Sequence, residues 1–485
     1  MKDLKKNDST CIDSHFETLR ASRILIAGFG ISNQPLIGLF QKEGISDVWV
    51  ADSGGRTEKD RLRITRKLKK LVKEGLIKGF TVGVDYLSCA KDFDVIYKSP
   101  GIRPDACGLP EAIASGTLVT SEMEQFVKHC PCRVYAVTGS DGKTTTTTLI
   151  YKMLSSVRGD SKVYVGGNIG HPLYPLLREI KPEDTVVLEL SSFQLMNMDT
   201  SGIDVAVITN VSPNHLDYHK DYQEYIDAKK NVFKGGALAV LNGDNAITSS
   251  MVSDVPGPVR LFSRLTPPAN GTFEKEGKIY VSENGSIDLV MDSSSIRIPG
   301  GHNVENYLAA IAAVSDTVPA ANIRRIAKRF NGVAHRIELF LERDGVKYYD
   351  SSIDSSPKRS IATLAVFAPC SVVMVAGGKD KNLDYAELGG PVCDKVRVLV
   401  LSGPTSDKIE KSVRDELSKR GSGETVRIIR AESFEAAVAI ASENASPGDN
   451  VILSPASTSF DRFRNFEERG KYFKKLARQW RREGT

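Results

Sequence analysis

Along most of this chain, apolar residues come in short continuous runs separated by longer amphipathic stretches. That rhythm predicts buried parallel strands alternating with helices. A first series, RILIAGFG (23–30), VWVAD (48–52) and DVIYKSPGI (94–102), predicts a small doubly wound α/β domain. A second series runs through RVYAVTGS (133–140), KVYVGGNIG (162–170), DTVVLELSS (184–192), DVAVITNVS (204–212) and ALAVLNGD (237–244), and predicts a mostly parallel sheet covered on both faces. Between about 257 and 300 the texture changes to alternation with the turn signals Asn270-Gly271 and Asn284-Gly285, which predicts β-hairpins as an insertion or edge sheet. A third strand-and-helix series comprises VKYYDSS (346–352), SVVMVAGG (371–378), VRVLVLSG (396–403), TVRIIRA (425–431) and NVILSPAS (450–457). The pattern predicts an α/β chain of three consecutive domains, residues 1–131, 132–333 and 334–485.

The length of 485 residues exceeds a single hydrophobic core and agrees with about three domains at ~150 residues each. Hydrophobic residues make up 41% and charged residues 26%; no apolar run approaches the ~18 residues of a membrane span, and the N-terminal MKDLKKNDSTCIDSHFE lacks a secretory hydrophobic core. A cytoplasmic enzyme without membrane insertion is expected, and a monomer. Seven scattered cysteines, never spaced as C-x-x-C, predict reduced thiols rather than a disulfide framework or a zinc knuckle. The net charge of +5 is slight, and the most basic stretch, the terminal KYFKKLARQWRRE, repeats Phe473, Leu476 and Trp480 at helical spacing. It predicts a packed amphipathic helix, not a nucleic-acid partner.

The chemistry gathers at strand ends. Residues 136–145, AVTGSDGKTT, form a glycine-bracketed loop between a strand and a helix, as in proteins that hold nucleoside triphosphates. Gly139 and Gly142 permit a tight turn, Ser140 and Asp141 lie between them, Lys143 adds a point charge, and Thr144 and Thr145 open the helix. Val137 stands where a standard Walker loop has its first glycine. Glu189 closes its strand where a carboxylate meets phosphates, and Mg²⁺ demands hard oxygen ligands of that kind, so it is the leading metal candidate. His215, two residues from Asp217 in a loop, offers a metal, phosphate or hydrogen-bonding group, or is an ordinary surface residue. Lys229 taken alone reads as a solvated helix lysine. Asn303 and Asn306, three apart at a helix start, share one face, with Asn303 also readable as an N-cap. Gly28-Phe29-Gly30 with Asp52 resembles a dinucleotide fingerprint, but Asn33 replaces its last glycine, leaving open a nicotinamide, another phosphate-bearing nucleotide, or a plain turn. Ser99-Pro100-Gly101, Gly377-Gly378-Lys379-Asp380-Lys381 and Ser454–Gly470 also follow strands, and their hydroxyls, amides and lysine suit an anionic substrate.

Together and in order, GSDGKTT, GGNIG (166–170), ELSSFQL (189–195), NVSPNHLD, YIDAK, GGHNVEN, AHRIE (334–338), GGKDKN and LSPASTSFDRFRNFEERG resemble the Mur ligases of bacterial cell-wall synthesis, and ELSSFQL and the closing signature look like the D-glutamate-adding branch. The resemblance spans essentially the whole chain. It implies a Rossmann-like N-terminal domain, a central P-loop domain and a Rossmann-like C-terminal domain. It further implies ATP-driven ligation of D-glutamate to UDP-N-acetylmuramoyl-L-alanine through an acyl phosphate. By similarity Thr144, Glu189, His215 and a carbamylated Lys229 hold Mg²⁺, with Lys143, Lys229, His215 and Glu189 catalytic. ATP falls to residues 139–145 with Asn303, Asn306, Arg336 and Asp350. The UDP-sugar falls to Ile31, Ser32, Ser53, Ser99, Asn168 and His215, and D-glutamate to Ser355, Lys381, Ser459, Phe460 and Phe466. The chain departs from the family at Ser140-Asp141, at Asn214, and at Asp350-Ser-Ser-Ile-Asp354-Ser355, where the usual lysine is missing.

Overall fold

A computed structural model describes residues 9–55, 57–157, 159–421 and 426–480. Two compact units are formed: residues 1–293 with 305–326, and residues 294–304 with 327–485. The first two strand series, expected as separate domains, give two sheets within the first unit.

In the first sheet β1 (Ile24–Ala27), β2 (Val48–Asp52), β3 (Gly79–Val82), β4 (Val95–Lys98) and β5 (Leu118–Thr120) lie parallel in the order β3-β2-β1-β4-β5. The second sheet holds β6 (Arg133–Thr138), β7 (Val163–Gly167), β8 (Thr185–Glu189), β9 (Val205–Ile208), β10 (Leu238–Asn242), β11 (Val259–Ser263), β12 (Gly271–Lys275), β13 (Lys278–Glu283) and β14 (Ser286–Asp292). Its order, β14-β13-β12-β11-β10-β9-β6-β8-β7, places β6 between β9 and β8, all parallel. Every residue of β9 is buried, and β6 and β8 are buried except at their first residue, as continuous apolar runs require when both faces are covered.

The edge of this sheet corrects one expectation. Asn270-Gly271 is not a hairpin turn: β11 and β12 pair in parallel, and Gly271 lies so close to Leu261 O that a Cβ would stand 1.8 Å from it. The hairpins are turned instead at Glu276-Gly277 (φ 52° and 72°) and, as expected, at Asn284-Gly285 (φ 50° and 86°).

The second unit carries β15 (Glu338–Arg343), β16 (Val346–Asp350), β17 (Val372–Ala376), β18 (Val396–Leu401), β19 (Arg427–Arg430) and β20 (Asn450–Leu453), ordered β15-β16-β20-β17-β18-β19. Only the β15 hairpin is antiparallel. The closing helix Phe466–Gln479 buries Phe473 and half-buries Leu476, as its spacing predicts. The stretch's last residues, 481–483, and Thr425 lie outside the described residues. Among the described residues no helix is long and apolar enough to cross a membrane, and all seven cysteines are free thiols.

Candidate active site

The glycine-bracketed loop joins β6 to the helix Lys143–Leu154, and Gly142 caps that helix with φ 79°. A Cβ at Gly142 would stand 2.3 Å from Asn306 Oδ1, so glycine lets the helix Gly301–Val314 deliver Asn306 against the loop. Thr146 Oγ1 donates to the same Asn306 oxygen at 3.2 Å. The loop is fixed from the side by the end of β9. Ser140 N donates to Asn210 O and Asp141 N to Asn210 Oδ1, both at 2.9 Å, and Thr209 Oγ1 donates to Asp141 O at 2.6 Å. Ser140 Oγ meets Tyr225 OH at 2.9 Å and donates to Ser212 O at 3.0 Å. Asn210 therefore takes the first two amides of the loop, and the anion-facing donors move to the first turn of the helix, residues 142–145, where N–H groups have no carbonyl of the helix to meet.

Two lysines converge on one carbonyl. Lys143 Nζ donates to Gly139 O at 2.9 Å and to Ser140 O at 2.7 Å, while Lys229 Nζ donates to Gly139 O at 2.7 Å. Lys229 is 1% exposed, lies 4.5 Å over the Tyr225 ring, and reaches Thr138 Oγ1 at 3.5 Å. Burial, and then the charge of Lys143, hold the Lys229 amine well below the usual lysine range, so its neutral form is favoured. The lysine read as solvated from its isolated position is instead buried beside Lys143 on the Gly139 carbonyl.

Glu189 ends β8 and is 2% exposed. Its Oε1 accepts from Asn168 Nδ2 at 2.8 Å, and its Oε2 is buried with no hydrogen-bond partner. A desolvated carboxylate oxygen without a donor fits a hard divalent cation. His215 is exposed in a left-handed conformation (φ 55°), its ring edge-on to Phe193 at 5.0 Å. Desolvation, and then the charge of Lys143, lower its pKa against the opposing pull of Asp217 and favour the neutral imidazole that metals require. Thr144 and Thr145 sit in the first turn of the loop helix.

The carboxyl edge of the first sheet brings together Ile31 (87% exposed), half-buried Ser32 and Ser99, and exposed Ser53. Asp52 serves the backbone here, with Oδ2 accepting from Phe29 N at 2.7 Å and Oδ1 from Gly54 N at 2.8 Å. Asn33 fills the place of the missing glycine by donating to Ala27 O, Gly28 O and Tyr97 O. The dinucleotide-like residues thus have structural duties, and the nicotinamide alternative loses its acidic ribose ligand.

In the second unit Asn303 is the third residue of its helix rather than the N-cap, and its Nδ2 donates to Pro299 O at 2.6 Å. Asp350 is fully buried: His335 Nδ1 lies 2.8 Å from Oδ2, Lys474 Nζ 3.4 Å from the same oxygen, and Ser352 N donates to Oδ1 at 2.9 Å. Burial alone would raise its pKa, but the bond from His335 and that residue's charge bring it below the ordinary range. Glu338 completes the cluster through Lys474 at 2.7 Å. His335, Glu338 and Asp350 lie close enough to hold an ion, but the Lys474 ammonium already neutralises them. Asp350, expected at the nucleotide, is held here by His335, Lys474 and Ser352, and Arg336 pairs its backbone with Val333 across a turn. At the loop after β20, Ser459 is buried and Phe460 is 53% exposed under Lys381 at 5.4 Å. Phe466 is half-buried, edge-on to His335 at 5.9 Å. Ser355 turns back on Ile353 O at 3.0 Å. Arg469, 2% exposed, donates to Ser457 O and Ser352 O at 3.0 and 2.9 Å, with burial lowering its pKa to about 10.

Residues 137–314 match the Mur ligase middle domain family, and 335–457 match the Mur ligase, glutamate ligase domain family. The UDP-N-acetylmuramoylalanine--D-glutamate ligase of Ruminiclostridium cellulolyticum is 47% identical over 95% of this chain and 97% of its own. The chain belongs to the Mur ligase family. A second Mur ligase, the UDP-N-acetylmuramoylalanine--D-glutamate ligase of Acetivibrio thermocellus, is 45% identical over 97% of this chain and 99% of its own. In fold the chain matches the UDP-N-acetylmuramate-alanine ligase of Thermotoga maritima, with a TM-score of 0.54 at 18% identity over 94% of this chain and 98% of the other. This Mur ligase site includes Thr209 and His219, which lie outside the quoted motifs, and gives Asn210 and Tyr225, which open NVSPNHLD and YIDAK, a role in holding the loop; the four-residue spacing of His215 and His219 was the available signal.

Proposed function

We propose that the chain is an ATP-dependent ligase that joins D-glutamate to UDP-N-acetylmuramoyl-L-alanine, acting as a cytoplasmic monomer with domains near 1–131, 132–333 and 334–485. One observation carries this reading. Around Gly139, a buried lysine, a second lysine and a partnerless buried carboxylate oxygen are gathered beside a helix N-terminus. Such a site is built for phosphate and a divalent cation.

The substrate's alanyl carboxylate is a poor electrophile. Its oxygen attacks the γ-phosphorus of ATP, ADP leaves, and the acyl phosphate so formed is attacked by the amine of D-glutamate; phosphate departs with one oxygen of the original carboxylate. Lys143 exchanges the carbonyls of Gly139 and Ser140 for phosphate oxygens, and the amides of residues 142–145 face the phosphates. Asn303, Asn306 and Arg336 serve the nucleotide. Thr144, Glu189, His215 and Lys229 are suited to hold Mg²⁺, which neutralises the phosphates when bound. Lys229 joins that set because an uncharged amine can take up carbon dioxide, and the carbamate is an anionic oxygen ligand. Ile31, Ser32, Ser53, Ser99, Asn168 and His215 line the path of the UDP-sugar. Ser355, Lys381, Ser459, Phe460 and Phe466 receive D-glutamate, with Lys381 opposite a carboxylate. The test is ADP release with UDP-N-acetylmuramoyl-L-alanine and a panel of D-glutamate, L-glutamate, L-lysine and folate. Release with D-glutamate alone is expected; release with another member alone would replace the last substrate.

A further inference from the structure

Between the two histidines of the 210–221 loop and the lysine helix lies a chain of polar contacts that the mechanism above does not use. Arg103, in the loop after β4, grips Glu224 with both arms, Nη1 to Oε2 at 3.0 Å and Nη2 to Oε1 at 2.9 Å. The same guanidinium donates to Tyr218 O at 2.6 Å and to both oxygens of Asp105 at 2.9 and 3.2 Å. Tyr218 returns the contact by donating from its hydroxyl to Pro100 O at 2.9 Å.

From Glu224 the chain turns inward. His219 is 3% exposed, with Nδ1 3.5 Å from Glu224 Oε2 and Nε2 2.9 Å from Ser192 Oγ. Nδ1 stands near the carboxylate without a hydrogen bond to it, so the ring is held by Nε2 on the serine hydroxyl and by its place beside Glu224. Ser192 follows Glu189 by three residues, and Phe193 next to it packs against the rings of His215, Tyr218 and His219 at 5.0, 4.1 and 5.6 Å. The backbone amide of His219 donates to His215 O at 3.1 Å. Glu224 also accepts from Lys220 N at 2.8 Å, and beside it Tyr225 reaches Ser140 Oγ and underlies Lys229 Nζ. The bond from Arg103 holds the Glu224 carboxyl down at about 2, so it stays anionic.

We propose that Arg103, Glu224 and His219 form a positioning network that sets His215 and Lys229 relative to the strand end bearing Glu189, and ties all three to the loop after β4. None of the three touches the reacting atoms. They act through their neighbours, the His219 backbone on His215 and Tyr225 beside Glu224 on Lys229, as outer-shell partners orient metal ligands. The proposal rests on the ligase reading above.

The experiment compares the full-length protein with Glu224→Gln, His219→Ala and His219→Gln by three measurements: Mn²⁺ affinity in the presence of a non-hydrolysable ATP analogue, kcat for ADP release, and melting temperature. The network predicts that E224Q and H219A weaken Mn²⁺ binding about tenfold and lower kcat about 10–100-fold. H219Q, which keeps a partner for Ser192, recovers most of both, and melting moves by no more than about 3 °C. Mn²⁺ affinity within twofold of the parent in both E224Q and H219A overturns the proposal, as does a loss that only follows a lowered melting temperature. A parent enzyme that releases no ADP with D-glutamate overturns the ligase reading instead, while the Mn²⁺ measurement still judges the network.

Discussion

The two units bury charge in opposite ways. In the second, His335, Asp350, Glu338 and Lys474 form one cluster in which the charges answer one another, while Arg469 spends two donors on backbone carbonyls and keeps a buried Nε without a partner. In the first, Glu189 Oε2 meets no donor, and Lys143 and Lys229 both donate to the Gly139 carbonyl. Burying a charge without a partner costs free energy that a fold tolerates where a ligand restores it. The comparison separates the paired charges around Asp350 from a site that a bound ligand would complete.

Substitutions in the two regions should fail differently. The largest effect is expected for Lys143→Ala: D-glutamate-dependent ADP release falls by about 10²–10³ or more, with the melting temperature nearly unchanged. Near-parent turnover would remove the first region from the chemistry. Asp350→Ala should do the reverse. It leaves Lys474 and His335 without their buried partner and costs about 3–5 kcal/mol of stability in denaturant unfolding. A stable D350A that merely binds ATP weakly would return Asp350 to the nucleotide.

Much of this division was legible in the sequence. The parallel strands were, because strands covered on both faces are written as unbroken apolar runs, and so was the phosphate loop, because glycine, lysine and threonine stand in its local order. The short half-buried β3 lacks such a run. Asn270-Gly271 carries the residues of a hairpin but serves a close parallel approach, which only the position of Leu261 reveals. The state of Lys229 was hidden for a similar reason, since helix sequence does not tell which face is dry. Arg103 and Glu224 are 121 residues apart, and nothing local marks either one. Asp350 stood in a recognisable stretch, but its neighbours His335 and Lys474 meet only in the fold.

A smaller effect sharpens the comparison from within the first unit. Glu122 is also buried with an oxygen lacking a partner, and burial pushes its carboxyl up to about 7. It resolves its isolation by taking a proton. The native state holds that proton where the unfolded chain has lost it, so stability falls as pH rises from about 4.5 to about 7 by at most about 3 kcal/mol. Glu122→Gln should flatten that decline in unfolding curves measured across the interval. An unchanged slope would assign the pH dependence elsewhere.

The central claim is that the first unit activates a carboxylate by phosphorylation, and an isotope measurement tests it most directly. UDP-N-acetylmuramoyl-L-alanine labelled with ¹⁸O in its alanyl carboxylate is turned over with ATP and D-glutamate, and the released phosphate is analysed by mass spectrometry. The account predicts one labelled oxygen in each phosphate released; phosphate without label would contradict it.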